Sequence, residues 1–107
     1  MKEKVYIYSL KYAESFLYES NLFTDGDHEK RIPITFVSYL IKTKDRNIIV
    51  DPGCNTMPGW NMKEYFSPAF VLRQAGVSAE EITDVIITHA HHDHMECVKY
   101  YTNAVVY

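Results

Sequence analysis

A dense histidine motif at the end of an apolar run constrains this chain more than any other feature. Residues 88–94 read THAHHDH and contain four of the chain's five histidines. The run before the motif, residues 84–88 (DVIIT), is apolar and of strand length, which predicts a buried strand. Because α/β folds place their sites at the carboxyl ends of strands, the motif is predicted to lie at a functional edge of a sheet.

The spacing of these histidines favours a metal site. His89 and His91 are two residues apart, and in extended backbone such residues point to the same side, so both imidazoles could bind one ion. Asp93 and His94 follow where the chain turns, and they are predicted to complete this site or to hold a second ion. Imidazole and carboxylate ligands suit zinc, with iron or manganese as alternatives.

A simpler interpretation of a histidine-rich tract is a solvated loop with adventitious metal affinity. The apolar strand before the motif, the order of its residues and the short helix predicted over residues 95–101 favour the metal site instead. His92 is out of phase with its neighbours and is predicted to face solvent or to support the ligands from behind. His28 stands alone in a polar loop and is predicted to be a surface residue.

The rest of the chain predicts a mixed α/β (α+β) fold. Alternating apolar residues indicate strands, and the polar turn at residues 44–47 is typical of a hairpin. Ser67-Pro68 is a helix start, Gly76 is placed to end that helix, and residues 78–81 have the form of a capping box. Strands are predicted over residues 4–12, 34–43, 47–50, 84–88 and 104–107, with residues 16–18 as a partner strand to the first.

Composition sets limits on the class of protein. The 107 residues, 47% of them hydrophobic, suit one domain or part of one, and residues 1–107 are predicted to be a single partial domain. A net charge of −3 without a basic run predicts no nucleic-acid partner, and no apolar run is long enough for a membrane span. The N-terminus does not read as a signal peptide, and only two cysteines, Cys54 and Cys97, are present, so a cytoplasmic protein is expected.

The motif THAHHDH matches the HxHxDH signature of the metallo-β-lactamase superfamily, and the chain resembles that family. The runs NIIVDPG and DVIIT look like its two characteristic strands. Within it, residues 39–54 and 77–94 are most similar to the N-acyl homoserine lactonases. The resemblance implies the N-terminal half of a four-layer αβ/βα sandwich, with the site at the edge between two similar halves.

The resemblance also implies roles for the motif. His89 and His91 would bind a first zinc, and Asp93 and His94 a second, with a water activated by the metal attacking a carbonyl carbon. Asp93 would in addition pass a proton to the leaving group, as a catalytic residue. Asp51, at the end of the earlier strand, would support the site from behind its ligands.

Two departures from the family pattern stand out. Pro52 follows Asp51 where Thr or Ser is commoner, so a hydroxyl and an N–H are missing there. Family members also take a histidine, a bridging aspartate and a second histidine from their other half, and none of these follows His94 here. The chain is therefore expected to be a fragment that lacks the C-terminal half, with a half supplied by another chain or a non-catalytic relic as alternatives. Since unpaired sheet edges invite partners, a homodimer or poor solubility is expected.

The predicted function is a metal-dependent hydrolase that acts on a small-molecule substrate, a lactone or another ester or amide. Alternatives within the fold are a glyoxalase II-like thioesterase, a β-lactamase and an RNA-processing enzyme, and a non-catalytic zinc-binding or assembly module is the alternative outside enzymes. Five apolar residues between Gly53 and Ser67 either line an entrance for an acyl chain or pack onto the core, and packing is favoured. They are Met57, Trp60, Met62, Tyr65 and Phe66.

Overall fold

The computed structural model describes residues 4–55, 62–63, 65–89 and 91–107, and of residues 92 and 93 the backbone alone. Within these residues, five strands form one sheet in the order β1-β2-β3-β4-β5, so strands that are neighbours in sequence are neighbours in the sheet. The elements are β1 (Tyr6–Tyr18), α1 (Glu19–Leu22), β2 (Arg31–Lys42), β3 (Asn47–Val50), α2 (Pro68–Gln74), a first 3₁₀ helix (Ala79–Glu81), β4 (Asp84–Ile86), α3 (His92–Met95), a second 3₁₀ helix (Glu96–Tyr100) and β5 (Val105–Val106).

The first three strands are antiparallel, and the predicted hairpin between β2 and β3 is confirmed. The prediction of two strands within residues 4–18 is wrong, because β1 is a single strand of 13 residues that pairs with β2 along its length. Its register shifts between Lys11 and Ala13, so the residue between them forms a bulge. A bulge adds one residue to one strand and lets pairing resume beyond it, which is why the alternation of the sequence breaks there.

The last three strands are parallel. Ile49 pairs with Val85, and Val85 pairs with Val106, so the carboxyl ends of these strands meet at one edge of the sheet. The strand predicted over residues 84–88 ends at Ile86 instead. The reason is that the N–H of Thr88 donates to the side chain of Asp51, 2.8 Å away, and not to a neighbouring strand.

The helix signals at Ser67, Gly76 and Ser78 are confirmed, whereas the short helix predicted over residues 95–101 is instead α3 followed by the second 3₁₀ helix, over residues 92–100. The hydroxyl of Ser67 accepts the N–H of Phe70 at 3.2 Å, which caps the N-terminus of α2. Gly76 follows this helix with φ 87°, a left-handed conformation that glycine adopts without strain. Before the first 3₁₀ helix, both the N–H and the hydroxyl of Ser78 donate to the carboxylate of Glu81.

Two apolar clusters lie on the covered side of the sheet. The larger cluster packs α2 against the first four strands. Its buried members include Leu10, Leu40, Ile49, Leu72 and Val85. The smaller contains Tyr12, Ala13, Phe36 and Cys54. Cys54 and Cys97 are both buried and unbridged, so they belong to the interior as thiols.

The opposite side of the sheet is apolar and exposed. Leu40 on β2 is fully buried, whereas its neighbour Tyr39 points to the other side and is 44% exposed. Ile7, Ile86 and Val105 are also exposed. The expected homodimer stays a prediction. Among the described helices, none is long and apolar enough to cross a membrane.

Candidate metal centre

Two loops meet at the carboxyl edge of the parallel strands. β3 leads into Asp51, and β4 leads into the motif that starts at Thr88. Val50 pairs with Ile86 as the last residues of these strands, and the N–H of Asp51 donates to the carbonyl of Ile86 at 2.8 Å. The parallel register therefore brings the side chain of Asp51 directly beside the histidine motif.

The turn after β3 has a constrained backbone. Asp51 has φ 55°, in the left-handed region, where aspartate is tolerated better than most residues. Gly53 has φ 91°, and a Cβ atom there would lie 2.9 Å from Cγ of Pro68 and 3.1 Å from the ring of Tyr12. A glycine is required at residue 53 for both reasons.

The carboxylate of Asp51 is the centre of a hydrogen-bond network. Oδ1 accepts the N–H of Thr88 at 2.8 Å, and Oδ2 lies 2.8 Å from the hydroxyl of Thr88 and 2.9 Å from Nδ1 of His94. Burial raises the pKa of Asp51, but the hydrogen bonds from Thr88 and His94 outweigh it and hold the pKa below its usual value. Asp51 is therefore a carboxylate that accepts from both partners.

The hydrogen bonds of this network determine which nitrogen of two imidazoles carries the proton. The hydroxyl of Thr88 has one proton, which goes to the carboxylate of Asp51, since a carboxylate only accepts. Nδ1 of His89, 2.9 Å from the same hydroxyl oxygen, must then donate to it, and Nδ1 of His94 donates to Asp51. In the neutral form both rings keep a lone pair on Nε2, the arrangement typical of histidines that bind a metal.

The described donor atoms are close enough to surround one ion. One ligand atom each from Asp51, His89 and His94 lie within 4.8 Å of one another. The ring of His89 lies 4.2 Å from that of His94 and 4.5 Å from that of His91, centroid to centroid. Zinc accepts imidazole nitrogens, and a carboxylate that accepts from Nδ1 orients such a ligand from behind, so these residues fit the metal that the sequence predicts.

Four predicted site residues, Asp51, His89, His91 and His94, have a place in this geometry. His89, His91 and His94 come together, but their division between two ions stays a prediction, and so does the supporting role of Asp51. The side chain of Asp93 lies outside the described residues, so its predicted roles as ligand and proton donor are not decided by the geometry. Thr88, which joins Asp51 to His89, carries more of the network than the motif alone indicates.

A cavity of about 240 Å³ borders the donor cluster. Asp51 and His94 form one side of it, and the remaining lining residues are Tyr12, Ile34, Thr35, Phe36, Val37 and Tyr39. The wall from β2 therefore carries no charge. Of the five residues of the predicted apolar entrance, Met57 and Trp60 are outside the described residues. Met62 and Tyr65 pack on the smaller core cluster, and Phe66 stacks on Phe70.

Curated proteins of similar sequence include lactonases. The N-acyl homoserine lactonase AiiB of Agrobacterium fabrum is 29% identical over 85 residues, which cover 65% of this chain and 31% of that protein. The chain thus spans about a third of the length of the curated relatives that it matches.

Solved structures share the fold. The hydrolase AbOPH of the β-lactamase superfamily superposes with a TM-score of 0.80 and 24% identity, covering 96% of this chain and 40% of that one. AidC, a dizinc quorum-quenching lactonase, gives a TM-score of 0.73 and 23% identity, covering 98% of this chain and 43% of its own. The mixed α/β architecture is therefore that of a recurrent fold.

The sequence profile of the metallo-β-lactamase superfamily matches residues 37–106, a span from β2 to β5 that contains the turn of Asp51 and the whole histidine motif. The chain belongs to the metallo-β-lactamase superfamily.

Proposed function

We propose that this protein is a zinc-dependent hydrolase that opens lactones of the N-acyl homoserine class. The observation that carries the proposal is the cluster of Asp51, His89 and His94, whose donor atoms lie within 4.8 Å of one another beside a cavity. The superfamily is one of hydrolases, and the lactonase relatives favour a lactone over other carbonyl substrates.

The metal would be held by imidazole nitrogens of the motif, with His89 and His94 oriented by the hydrogen bonds at their Nδ1 atoms. His91, whose ring adjoins that of His89, is proposed as a further ligand. When bound, zinc lowers the pKa of water towards neutrality and polarises a carbonyl oxygen. Two zinc ions are proposed, as in the dizinc relative AidC, with iron or manganese as alternatives.

The chain's own residues supply orientation and proton transfer. Asp51 fixes the ring of His94 directly and that of His89 through Thr88, so the ligands are oriented before a metal arrives. Asp93, in α3 between the histidines, is proposed to give a proton to the alkoxide that leaves when the lactone ring opens.

The cavity supports a neutral substrate. Its lining residues include the aromatic Tyr12, Phe36 and Tyr39, the aliphatic Val37 and the polar Thr35. An acyl homoserine lactone is uncharged, with an apolar chain and polar amide and ester groups, which is the combination that such a wall can contact.

Hydrolysis of N-hexanoyl homoserine lactone by the zinc-loaded protein tests the proposal, with S-lactoylglutathione and nitrocefin as competing substrates. We expect the lactone to be the best substrate and His89→Ala to abolish turnover, while His28→Ala, a change in the exposed loop after α1, leaves it intact. Equal turnover by His89→Ala would contradict the proposal. Binding of zinc without hydrolysis of any of the three substrates would favour a non-catalytic zinc-binding module instead.

A further inference from the structure

A second set of contacts joins the same two loops behind the donor cluster, and Asn55 is at its centre. Its N–H donates to the carboxylate of Glu96, and its Nδ2 donates to the hydroxyl of Tyr100 at 2.8 Å. Both acceptors belong to the second 3₁₀ helix, which follows α3 directly. Asn55 thus links the loop that begins at Asp51 to the segment that continues from His94.

The side-chain oxygen of Asn55 is an acceptor in the same network. Oδ1 lies 3.2 Å from the hydroxyl of Tyr65 and 3.7 Å from Sγ of Cys97. Burial raises the pKa of Tyr65 and that of Cys97 to about 12 each, so both groups keep their protons and donate. The amide therefore donates and accepts at once, which neither an apolar side chain nor a carboxylate can do.

The two sets of contacts are close in sequence on both sides. Asn55 is four residues after Asp51, and Cys97 is three residues after His94. Between the two sets, the N–H of Cys97 donates to the carbonyl of Gly53 at 2.9 Å. Three contacts therefore follow one another along the two segments. Asp51 contacts His94, Gly53 contacts Cys97, and Asn55 contacts the end of the second 3₁₀ helix.

We infer that Asn55 is a positioning residue for the metal centre, an inference that rests on the proposed function. By holding the second 3₁₀ helix against the loop after β3, it keeps Nδ1 of His94 within hydrogen-bond distance of Asp51. Partners that orient metal ligands usually touch them directly. Asn55 acts one step further away, through the backbone of the two segments that carry them.

Asn55→Leu tests this inference, because leucine is similar in size and loses the three side-chain contacts while it keeps the backbone N–H that donates to Glu96. Asn103→Leu is the matched control, since that amide also donates one hydrogen bond, to the carbonyl of Glu80 at 3.2 Å, but on the surface away from the motif. Circular dichroism would first show that each variant folds.

The deciding readout is the ¹H–¹⁵N spectrum of the histidine rings in chelator, at one fixed pH, with the signals of His94 assigned from His94→Gln. In the wild type we expect the Nδ1-protonated form of His94. In Asn55→Leu we expect signals averaged between both tautomers, and zinc affinity about 10-fold weaker, the lower end of the range for partners of metal ligands. Unchanged His94 signals in the folded variant would overturn the inference.

A second variant covers a failure to fold. Tyr100→Phe removes only the acceptor for Nδ2 of Asn55, at a residue that is 44% exposed. It should move the His94 signals in the same direction by less, and unchanged signals would again overturn the inference. Because the spectra are recorded without metal, a wild type that shows the Nδ1-protonated His94 but binds no zinc would refute the proposed function and leave the test of Asn55 valid.

Discussion

Nδ1 of His94 lies 2.9 Å from Oδ2 of Asp51, a contact between residues 43 positions apart in the sequence. It joins the loop after β3 to the helix after β4, and the parallel pairing of these strands makes it reachable. The contact orients the imidazole so that Nε2 faces away from Asp51. The candidate metal centre therefore depends on the pairing of β3 with β4 as well as on the motif.

Asp51→Asn should weaken zinc binding. The amide keeps the shape of the side chain but loses its charge and half of its accepting capacity, so it cannot accept all three hydrogen bonds that Thr88 and His94 donate to Asp51. We expect a loss of about 10- to 100-fold in affinity, measured by competition with a chromophoric chelator. Asp84→Asn is the control, because that carboxylate pairs with Arg46 at the start of β4. Equal losses in both variants would contradict the assignment.

Gly53→Ala should destabilise the fold more than Gly76→Ala. Both residues have positive φ, so each alanine brings about 1–2 kcal/mol of left-handed strain. At Gly53 the new Cβ also meets Pro68 and Tyr12, whereas nothing lies within 4 Å of a Cβ at Gly76. Urea unfolding of both variants gives the comparison. Equal free energies of unfolding would show that the turn after β3 relaxes and is not tightly packed.

Asp84 should contribute to stability in a pH-dependent way. The hydroxyl of Thr83, 2.7 Å away, lowers the pKa of Asp84 most; burial opposes this, and Arg46 lowers the pKa further. A folded pKa below the ordinary 3.8 means a contribution that is present above pH 3.8 and lost as the pH falls through the folded value. As the pH falls from 3.8 through the folded pKa of Asp84, the Asp84→Asn variant should therefore lose less stability than the wild type.

Urea unfolding above and below that window measures this difference. Asp25→Asn, a change of the same charge at an exposed residue of the loop after α1, is the control for net charge. If Asp84→Asn and the wild type lose stability in parallel as the pH falls, the pairing of Asp84 does not matter to the fold.

Cys54 and Cys97 should resist thiol reagents in the folded protein. Burial, with smaller contributions from Glu96 and Cys54, raises the pKa of Cys97 to about 12, and the thiolate is the reactive form. We expect an aromatic disulfide reagent to label neither thiol in buffer and both in urea, counted by intact mass. Rapid labelling in buffer would mean that the second 3₁₀ helix opens easily, and a mass two daltons low would reveal a disulfide.

Much of the fold could be predicted because its signals are local. Ser67 and Gly76 mark the ends of α2, and the polar turn between β2 and β3 marks a hairpin, each through the backbone chemistry of a few residues. The bulge in β1 could not be predicted, because it depends on pairing with β2. The early end of β4 likewise depends on Asp51, a distant residue that captures Thr88.

In the candidate site, too, features that depend on neighbouring residues could be predicted, and features that depend on distant residues could not. The spacing of His89 and His91 predicted that both imidazoles could reach one ion, and in the structure these two rings adjoin. The network around Asn55 was not predicted, because a single asparagine after Gly53-Cys54 has no distinctive pattern. A polar residue with both donor and acceptor, placed soon after a strand-end aspartate, is the only signal that could have suggested it.

The residues around Asp51 and the histidine motif are proposed to bind a metal ion. Zinc content per chain, measured by mass spectrometry of the protein purified without chelator, tests it most directly, with His94→Ala beside the wild type and His28→Ala as control. We predict at least one zinc ion per chain in the wild type and in His28→Ala, and a marked loss in His94→Ala. A wild type without zinc, or equal zinc in all three, would contradict the claim.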